Sequence, residues 1–534
     1  MQDVYRNSFL NISAIAAEHS GEGLYSQRDP QHLWEEVVRV DVSGLHPSQA
    51  AEAVGQKNRA NTLSPHDVDA STLETTGPAV DSKFTPLAKV QNCLLLDVSN
   101  WETLVNQAPV NQRGWVIQER LLAPRVLHFC RGRIAWECAE FDDIEGHVEG
   151  IPNYQIIGDD IHEGIIMKGL DPEIHGRSLR RNRLRGVVEP LDSAGNGIES
   201  RIVHSLELWS RIVEMYCKTH LTWQKDKLIA LSGLAHRMAG LISGSEERKD
   251  HMQLRYIAGL WDVHLVSQLL WHVEPLYRGD SDSRSNTIEY SSRRPKEYRA
   301  PSFSWASVDA QSGNGISCGH VLDSDAVLVE LPQGAGGCES DSEEKPWEKG
   351  VSVLPETGNH FGLVRNGHIR LRARVHHVKL QREGTHYYWF LLVDDDMGTE
   401  PGKGNENEKK NFNVYLDCPS DDDKEDRLTE SDEIYCIPMA YGSPSRSTDI
   451  VCLLLEKTKL LEKENPMEKA ANVHQTLGWP VEYREWTFRR IGYTRLSATF
   501  DRLTWDYIIK FRPEQKDLGG FYDETTGTHI VCII

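Results

Sequence analysis

Apolar and polar residues recur with different periods along the chain, and each period predicts a different kind of element. Around Val4 the spacing is typical of a short helical turn. The residues after it alternate in the strand period, which places Leu10, Ile12 and Ala14 on one side. The sequence therefore predicts a short helix followed by a strand near its start.

A helix and a hairpin are predicted further along. From Asn111 the apolar spacing indicates a helix that Pro124 ends, because proline cannot continue the helical hydrogen bonding. The run RVLHF then predicts a strand, CRGR a tight turn and IAWEC a second strand. These elements make the early part of the chain α/β.

Helical spacing dominates the middle of the chain. One stretch repeats apolar residues with this period at Ile202, Leu206, Trp209, Val213 and Tyr216. The segment 226–242 repeats the pattern, and Asp226 is placed favourably at the start of a helix. Two packed helices are therefore predicted.

Beyond residue 310 the chain changes to short alternating runs between polar turns, which is typical of a β domain. The runs are HIRLRARVHHVKL, YYWFLLV, NFNVYLD, DIVCLLLE and EWTFRRIGYTRL. Residues 43–86 predict a surface insertion, and the acidic residues 396–433 predict a solvated loop. The predicted regions are thus 1–140 (α/β), 141–310 (helical) and 311–534 (β-rich).

Composition narrows the class of protein. The 534 residues, 39% of them apolar, suffice for about three or four globular domains. Lys and Arg number 59 against 80 Asp and Glu, and the net charge of −21 repels phosphate backbones and anionic membranes. No run approaches the ~18 apolar residues of a membrane span. We therefore expect a soluble, cytoplasmic protein with no nucleic-acid partner and no membrane span.

Cysteine usage and common motifs exclude several chemistries. The ten cysteines contain no C-x-x-C pair, so neither a zinc site nor a redox centre is indicated. Cys130 and Cys138 are expected to lie near each other across the predicted hairpin as buried thiols. The sequence has no G-x-G-x-x-G, no G-x-x-x-x-G-K-[ST] and no H-E-x-x-H. No metal and no bound cofactor are predicted.

Two further patterns are interpreted as non-functional. Gly315, Ser317 and Gly319 match the G-x-S-x-G motif of hydrolases. The flanking residues supply neither a buried strand before the serine nor a helix after it, so we interpret the match as chance. His376 and His377 are interpreted as one inward and one outward residue of a strand, not as a metal pair.

Trp115 and Glu119 form the most distinctive pair. On a helix they share a face, so the indole can wall a pocket that holds the carboxylate. Burial raises the pKa of such a carboxylate, while Arg113 or Arg120, if close, keeps it ionised. Two interpretations stay open: a functional pocket, or an amphipathic helix whose Trp packs inward and whose Glu pairs with an Arg on the surface.

The same helix belongs to a longer series of residues. The series is Arg113-Gly-Trp115-x-x-Gln118-Glu119, then Leu122-x-Pro124-Arg125-x-Leu127-x-Phe129, then Trp136-Glu137-Cys138. It resembles the closing motif of the fungal HET (heterokaryon incompatibility) domain, and residues 1–30 are similar to an earlier segment of that family. Blocks that often follow the domain in large filamentous-fungal proteins resemble LTWQKDKLIALSGLA, YIAGLWDVHL, APSFSWASVD and FRRIGYTRL.

The resemblance implies a fold and a function. Residues 1–140 would form a TIR-like, flavodoxin-like α/β HET domain. It would be N-terminally truncated, because the family's opening Tyr-x-x-Leu-Ser-Tyr-x-Trp-Gly and Ile-Asp-x-Leu-Cys-Ile motifs are absent. The protein would regulate non-self recognition and programmed cell death in a filamentous fungus. It would act through protein partners, including self-association through the HET region.

An enzymatic alternative follows from the same resemblance. In NAD-cleaving TIR domains a W-x-x-x-E helix supplies the catalytic glutamate, and Glu119 matches it. Trp115, Arg113 and Gln118 would then contact the substrate, NAD. Because the family's first strand and loop would help to hold the nucleotide, we expect the chain as given to be inactive in this reaction.

Overall fold

Helices and strands alternate early in the chain, and strands dominate later. A computed structural model describes residues 2–25, 27–28, 36–41, 90–95, 97, 99–138, 142–146, 154–157, 160–163, 197–243, 254–279, 286–310, 315–322, 324–331, 350–392, 410–419, 428–431, 433–442, 449–458, 487–510 and 522–534. The α-helices in these ranges are α1 (Gln2–Arg6), α2 (Gly114–Leu122), α3 (Gly197–Cys217), α4 (Ser232–Ser243), α5 (Leu265–Gln268) and α6 (Arg502–Lys510). The fold is α/β in the broad sense.

The first strands build a small mixed sheet and two hairpins. They are β1 (Asn11–Ser13), β2 (Glu36–Asp41), β3 (Val90–Leu95), β4 (Arg125–Phe129), β5 (Ile134–Cys138), β6 (Asp142–Ile144), β7 (Tyr154–Ile157) and β8 (Asp160–Glu163). The sheet has the order β1-β4-β5-β6, with β1 parallel to β4 and the other pairs antiparallel. The hairpins are β2–β3 and β7–β8. The chain therefore enters this sheet at β1 and returns to it at β4, directly after α2.

Short strands follow the paired helices α3 and α4. They are β9 (Tyr256–Ile257), β10 (Leu260–Trp261), β11 (His272–Val273), β12 (Leu276–Gly279), β13 (Asn286–Glu289) and β14 (Ile316–Ser317). They pair antiparallel as β9–β10, β11–β14 and β12–β13. The described part of 141–310 is therefore a mixture of helices, short strands and turns.

The C-terminal strands form one large sheet. They are β15 (Val351–Pro355), β16 (Val364–Ala373), β17 (His376–Glu383), β18 (His386–Leu391), β19 (Val414–Leu416), β20 (Ile434–Tyr441), β21 (Ile450–Lys457), β22 (Thr487–Leu496), β23 (Tyr522–Asp523) and β24 (Thr528–Ile533). The order is β15-β16-β24-β22-β21-β20-β17-β18, with β19 paired to β22 and β23 to β24.

One apolar core connects the helices with this sheet. Ile117 of α2 and Trp209 of α3 belong to the same buried cluster as Leu453 of β21. Leu454 faces a second core on the other side of the sheet, because successive strand residues point to opposite faces. A third, smaller core around Ile15 lies at the four-stranded sheet. The predicted regions are thus packed together, and their boundaries stay a prediction.

Most predicted elements are confirmed. α1, β1, α2, β4 and β5 lie where the apolar spacing places them, and α2 ends just before Pro124. The five alternating runs form β16 to β19, β21 and β22. Sequence reasoning missed β20, which is buried along nearly its whole length, because a strand covered on both faces shows no alternation.

The predicted proximity of Cys130 and Cys138 is wrong. Both thiols are buried and free, as expected. Cys138, however, pairs with Arg125 at the open end of the β4–β5 hairpin, whereas Cys130 follows Phe129 at the turn. The register therefore separates the two cysteines by the length of the hairpin.

Two other expectations change. Asp226 lies in a 3-10 turn (Gln224–Lys227), and the helix begins later, at Ser232. The predicted acidic loop 396–433 contains β19 and the fully buried Asp417. The predicted insertion at 43–86 lies outside the described residues.

Candidate functional site

The N-terminus of α2 is held against the segment that follows α3. The backbone N–H of Gly114 donates to the carbonyl of His220 at 2.8 Å. A Cβ at Gly114 would lie 2.7 Å from Cδ2 of Leu221, so a larger residue here would require the Leu221 side chain to shift. The contact fixes where the predicted site residues of α2 begin.

The four predicted site residues lie in different environments. Trp115 is half-buried and packs against the main core, and Arg113 is exposed. Glu119 is half-buried. Gln118 is only 3% exposed, and its Oε1 would lie 2.9 Å from a Cβ at Gly233. The helix thus turns Gln118 into the interior and leaves Arg113 in solvent.

Glu119 accepts a hydrogen bond from the hydroxyl of Tyr5, a residue of α1. Burial raises the pKa of Glu119, while the Tyr5 hydrogen bond and the charge of Arg113 partly oppose that rise. Burial and the nearby carboxylate raise the pKa of Tyr5 to about 12. The net effect is a raised pKa at Glu119, and the carboxylate links two helices.

Arg120 does not pair with Glu119. It turns to the other side of α2 and binds the carboxylate of Glu137 on β5, with N to O distances of 2.7 and 2.9 Å. Its guanidinium also donates to Oδ1 of Asn106 at 3.1 and 3.2 Å. The suggested Arg120 contact to Glu119 is therefore wrong, because adjacent helical residues point in different directions.

Glu137 is fully buried between Arg120 and a histidine. Nε2 of His128 lies 3.1 Å from Oε2 of Glu137, and the His128 ring meets Trp101 edge to face. Burial raises the pKa of Glu137, but the Arg120 charge and the His128 hydrogen bond outweigh it and hold the pKa well below its usual range. The site is thus an ionised carboxylate inside the protein.

A second buried ion cluster joins two of the downstream blocks. Asp309 lies 3.2 Å from Nζ of Lys227 and 2.9 Å from Nη2 of Arg299. Burial lowers the pKa of Lys227. Burial also raises the pKa of Asp309, but the two cations outweigh this effect and lower it overall. The cluster connects the 3-10 turn after α3 with the chain before the β domain.

Two tryptophans converge on Gly259 near this cluster. The indole N–H groups of Trp209 and Trp305 donate to its carbonyl oxygen at 2.9 and 3.0 Å. The cavity beside them has a volume of about 20 Å³, which is space for about one water molecule. This part of the structure is therefore closely packed around the two indoles.

The two patterns interpreted as non-functional involve strands β14 and β17. Ser317 lies on the two-residue strand β14, and Ser324–Ala326, a 3-10 turn, is the next regular element along the described chain. The strand–turn–helix of a hydrolase is therefore not formed there. His376 is buried and His377 is half-buried, which confirms their inward and outward placement.

Glu137 and Asp309 are two of the described charged residues whose interior placement sequence reasoning missed. Glu137 is 0% exposed and lies on the inward side of β5 together with Ala135. The sequence signal for this placement was the alternation of the strand, because residues two apart share a face. A charge at an inward strand position implies a buried partner. The partner itself could not be read from spacing.

The described structure and its comparison with known proteins add three findings. In the described part of the chain, no group of three or more His, Cys, Asp or Glu side chains is placed to hold a metal ion. No described helix is long and apolar enough to cross a membrane. Comparison with protein families, curated proteins and solved structures finds no match to this chain.

Proposed function

We propose that the protein is a heterokaryon-incompatibility-type regulator of fungal non-self recognition and programmed cell death. It acts through its HET region, residues 1–140, by binding protein partners, including a second copy of itself. The basis is the motif series that ends in Trp136-Glu137-Cys138. No sequence or structural relative adds to this basis.

The observation that carries the proposal is the way the resembling segments meet. β1 of the first segment pairs in parallel with β4 of the closing motif. Tyr5 binds Glu119, and Arg120 binds Glu137. Three contacts therefore make one folding unit of pieces that the resemblance assigns to one domain.

The environment of Glu119 favours signalling over catalysis. Its carboxylate already accepts the Tyr5 hydroxyl, and its neighbour Gln118 is enclosed in the core. A carboxylate committed to an internal contact is a poor stabiliser of a cationic transition state. The alternative, NAD cleavage by Glu119, requires Tyr5 to move away and Arg113 and Trp115 to contact NAD.

The test is expression of the full chain in a filamentous fungus, with growth and cellular NAD followed together. We expect growth arrest from the native protein and from Glu119→Gln, with NAD unchanged. Arg120→Ala, which breaks the folding unit, should abolish arrest. Exposed Arg131→Ala is the matched control and should retain it.

Two outcomes contradict this account in different ways. If the native chain accumulates in folded form without affecting growth, the regulatory function is wrong. If folded Glu119→Gln loses both growth arrest and NAD depletion, the enzymatic alternative replaces signalling by assembly.

A further inference from the structure

Ser317 and His272 lie directly opposite each other on the paired strands β14 and β11. Opposite residues of an antiparallel pair share a face, with Cβ atoms about 4.5–5.5 Å apart. Their neighbours Ile316 and Val273 face the core. Ser317 is only partly buried, and Gly319 beyond it is exposed. The serine and the imidazole are therefore side by side near the surface.

Glu274 and two aromatic rings fix the orientation of His272. Nε2 of His272 lies 2.9 Å from Oε1 of Glu274, and this hydrogen bond lowers the pKa of the Glu274 carboxyl. The imidazole stacks on Tyr493 with a centroid distance of 4.6 Å and meets Tyr415 edge to face at 4.9 Å. These contacts fix the orientation of the His272 ring, with Nε2 directed at the carboxylate of Glu274.

The other ring nitrogen has a vacant hydrogen-bonding capacity. Nδ1 of His272 is buried and has no hydrogen-bond partner in the described structure. A buried polar atom without a partner requires an explanation, because nearly all such atoms are paired. A neutral imidazole that donates from Nε2 accepts at Nδ1. The opposite residue, Ser317, carries a hydroxyl that can donate to it.

The side chain of Lys218 packs beside Gly315, the residue that precedes β14. Its side chain covers Gly315, where an added Cβ would lie 3.0 Å from Cγ of Lys218. The backbone of Gly315 is left-handed, with φ of 86°, and its carbonyl accepts the N–H of Glu274 at 3.2 Å. The aliphatic part of the exposed residue Lys218 therefore lies next to the start of the strand that carries Ser317.

We propose that Ser317 and His272 form a serine-type acyl-transfer site for small carboxylic esters, with Glu274 as the positioning residue. Oγ of Ser317 bonds to the acyl carbon as its proton passes to Nδ1 of His272. The imidazolium then protonates the leaving alkoxide as the ester C–O bond breaks. Water reverses the sequence, releasing the acid and the free serine. This activity is independent of the regulatory function proposed above.

The site differs in architecture from the hydrolase motif that its sequence matches. The nucleophile lies on a two-residue strand opposite its base, not on a turn between strand and helix. Ser317 and His272 form no hydrogen bond to each other in the described structure. Such contacts often tighten only when substrate is bound.

The experiment uses a fluorophosphonate probe on the full chain, followed by peptide mass spectrometry. The probe phosphonylates a serine whose proton is taken by a base, and fluoride leaves. We expect label on Ser317. Ser317→Ala should abolish it, and His272→Phe, which keeps the ring stacking, should slow it at least about 100-fold. Exposed Ser324→Ala is the matched control and should label as the native chain does.

Glu274 is tested with a conservative pair. Glu274→Gln should slow labelling, whereas Glu274→Asp, which keeps the charge, should restore part of the rate. Melting temperatures establish that each variant is folded. The proposal is overturned if Ser317 of the native chain remains unlabelled, or if folded His272→Phe labels at the native rate. Hydrolysis of a p-nitrophenyl ester that survives in Ser317→Ala would overturn it equally.

Discussion

The guanidinium of Arg120 donates a hydrogen bond to each carboxylate oxygen of Glu137, with N to O distances of 2.7 and 2.9 Å. Both side chains are buried. This pair joins α2 to β5 and determines how the helix rests on the four-stranded sheet. Two parallel hydrogen bonds between charged groups add geometric specificity to the attraction. The first prediction follows from this contact.

Removing one partner of the pair should be costly. Arg120→Ala leaves Glu137 buried without its principal cation, and we expect the free energy of unfolding to fall by about 3–5 kcal/mol. Urea denaturation measures the change. Exposed Arg131→Ala should alter it by less than about 0.5 kcal/mol. Similar losses in the two variants would show that the ion pair does not anchor the helix.

The hydrogen bond from the Tyr5 hydroxyl should lower the pKa of Glu119. Tyr5→Phe removes a hydrogen bond that lowers the Glu119 pKa, so that pKa should rise. The lost hydrogen bond should cost about 0.5–1.5 kcal/mol of stability. NMR titration of the Glu119 carboxyl carbon measures the pKa. Tyr25 is 85% exposed, and Tyr25→Phe is the control. An unchanged titration in Tyr5→Phe contradicts the contact.

Buried histidines should make the protein sensitive to acid. Burial lowers the pKa of His376 and of His529 to about 4, whereas an unfolded histidine titrates near 6.5. The unfolded state therefore binds protons first as the pH falls. Stability should decline between about pH 6.5 and pH 4, by up to about 1.4 kcal/mol per pH unit for each histidine.

Chemical denaturation at several pH values measures this dependence. His376→Gln should flatten the slope in that window, because one such titration is removed. Half-buried His377→Gln is the neighbouring control and should preserve the slope. A native slope retained in folded His376→Gln would assign the acid sensitivity to other groups.

Gly259 should tolerate no side chain. Its φ is 103°, and an added Cβ would lie 2.7 Å from Nε1 of Trp305. Gly259→Ala therefore combines backbone strain with displacement of a buried indole, and we expect a loss of about 3 kcal/mol or more. Thermal melting of the native protein and of Gly259→Ala measures this loss of stability. Gly319 has open space around it, and Gly319→Ala should shift the melting temperature far less.

Local spacing predicted much of the secondary structure. α2 followed from its apolar period and ended before Pro124, and the β4–β5 hairpin followed from two strand runs around a short turn. These features depend on residues a few positions apart, and their physical causes are side-chain periodicity and the missing N–H of proline. The W-x-x-x-E pair was likewise visible, because i and i+4 share a helical face.

Tertiary structure alone determined the partners of the charged residues. Nothing in the sequence indicated that Arg120 would bind Glu137 while Glu119 bound Tyr5. Nothing in the sequence indicated that Asp417, from a stretch rich in acidic residues, would lie beside Arg490, with 3.3 Å between Oδ2 and Nε. Strand register places His272 opposite Ser317. It also separates Cys130 from Cys138 along the β4–β5 hairpin. Such contacts join residues distant in sequence, and they form only when the packing of whole elements fixes which faces meet, because burial outweighs local preference.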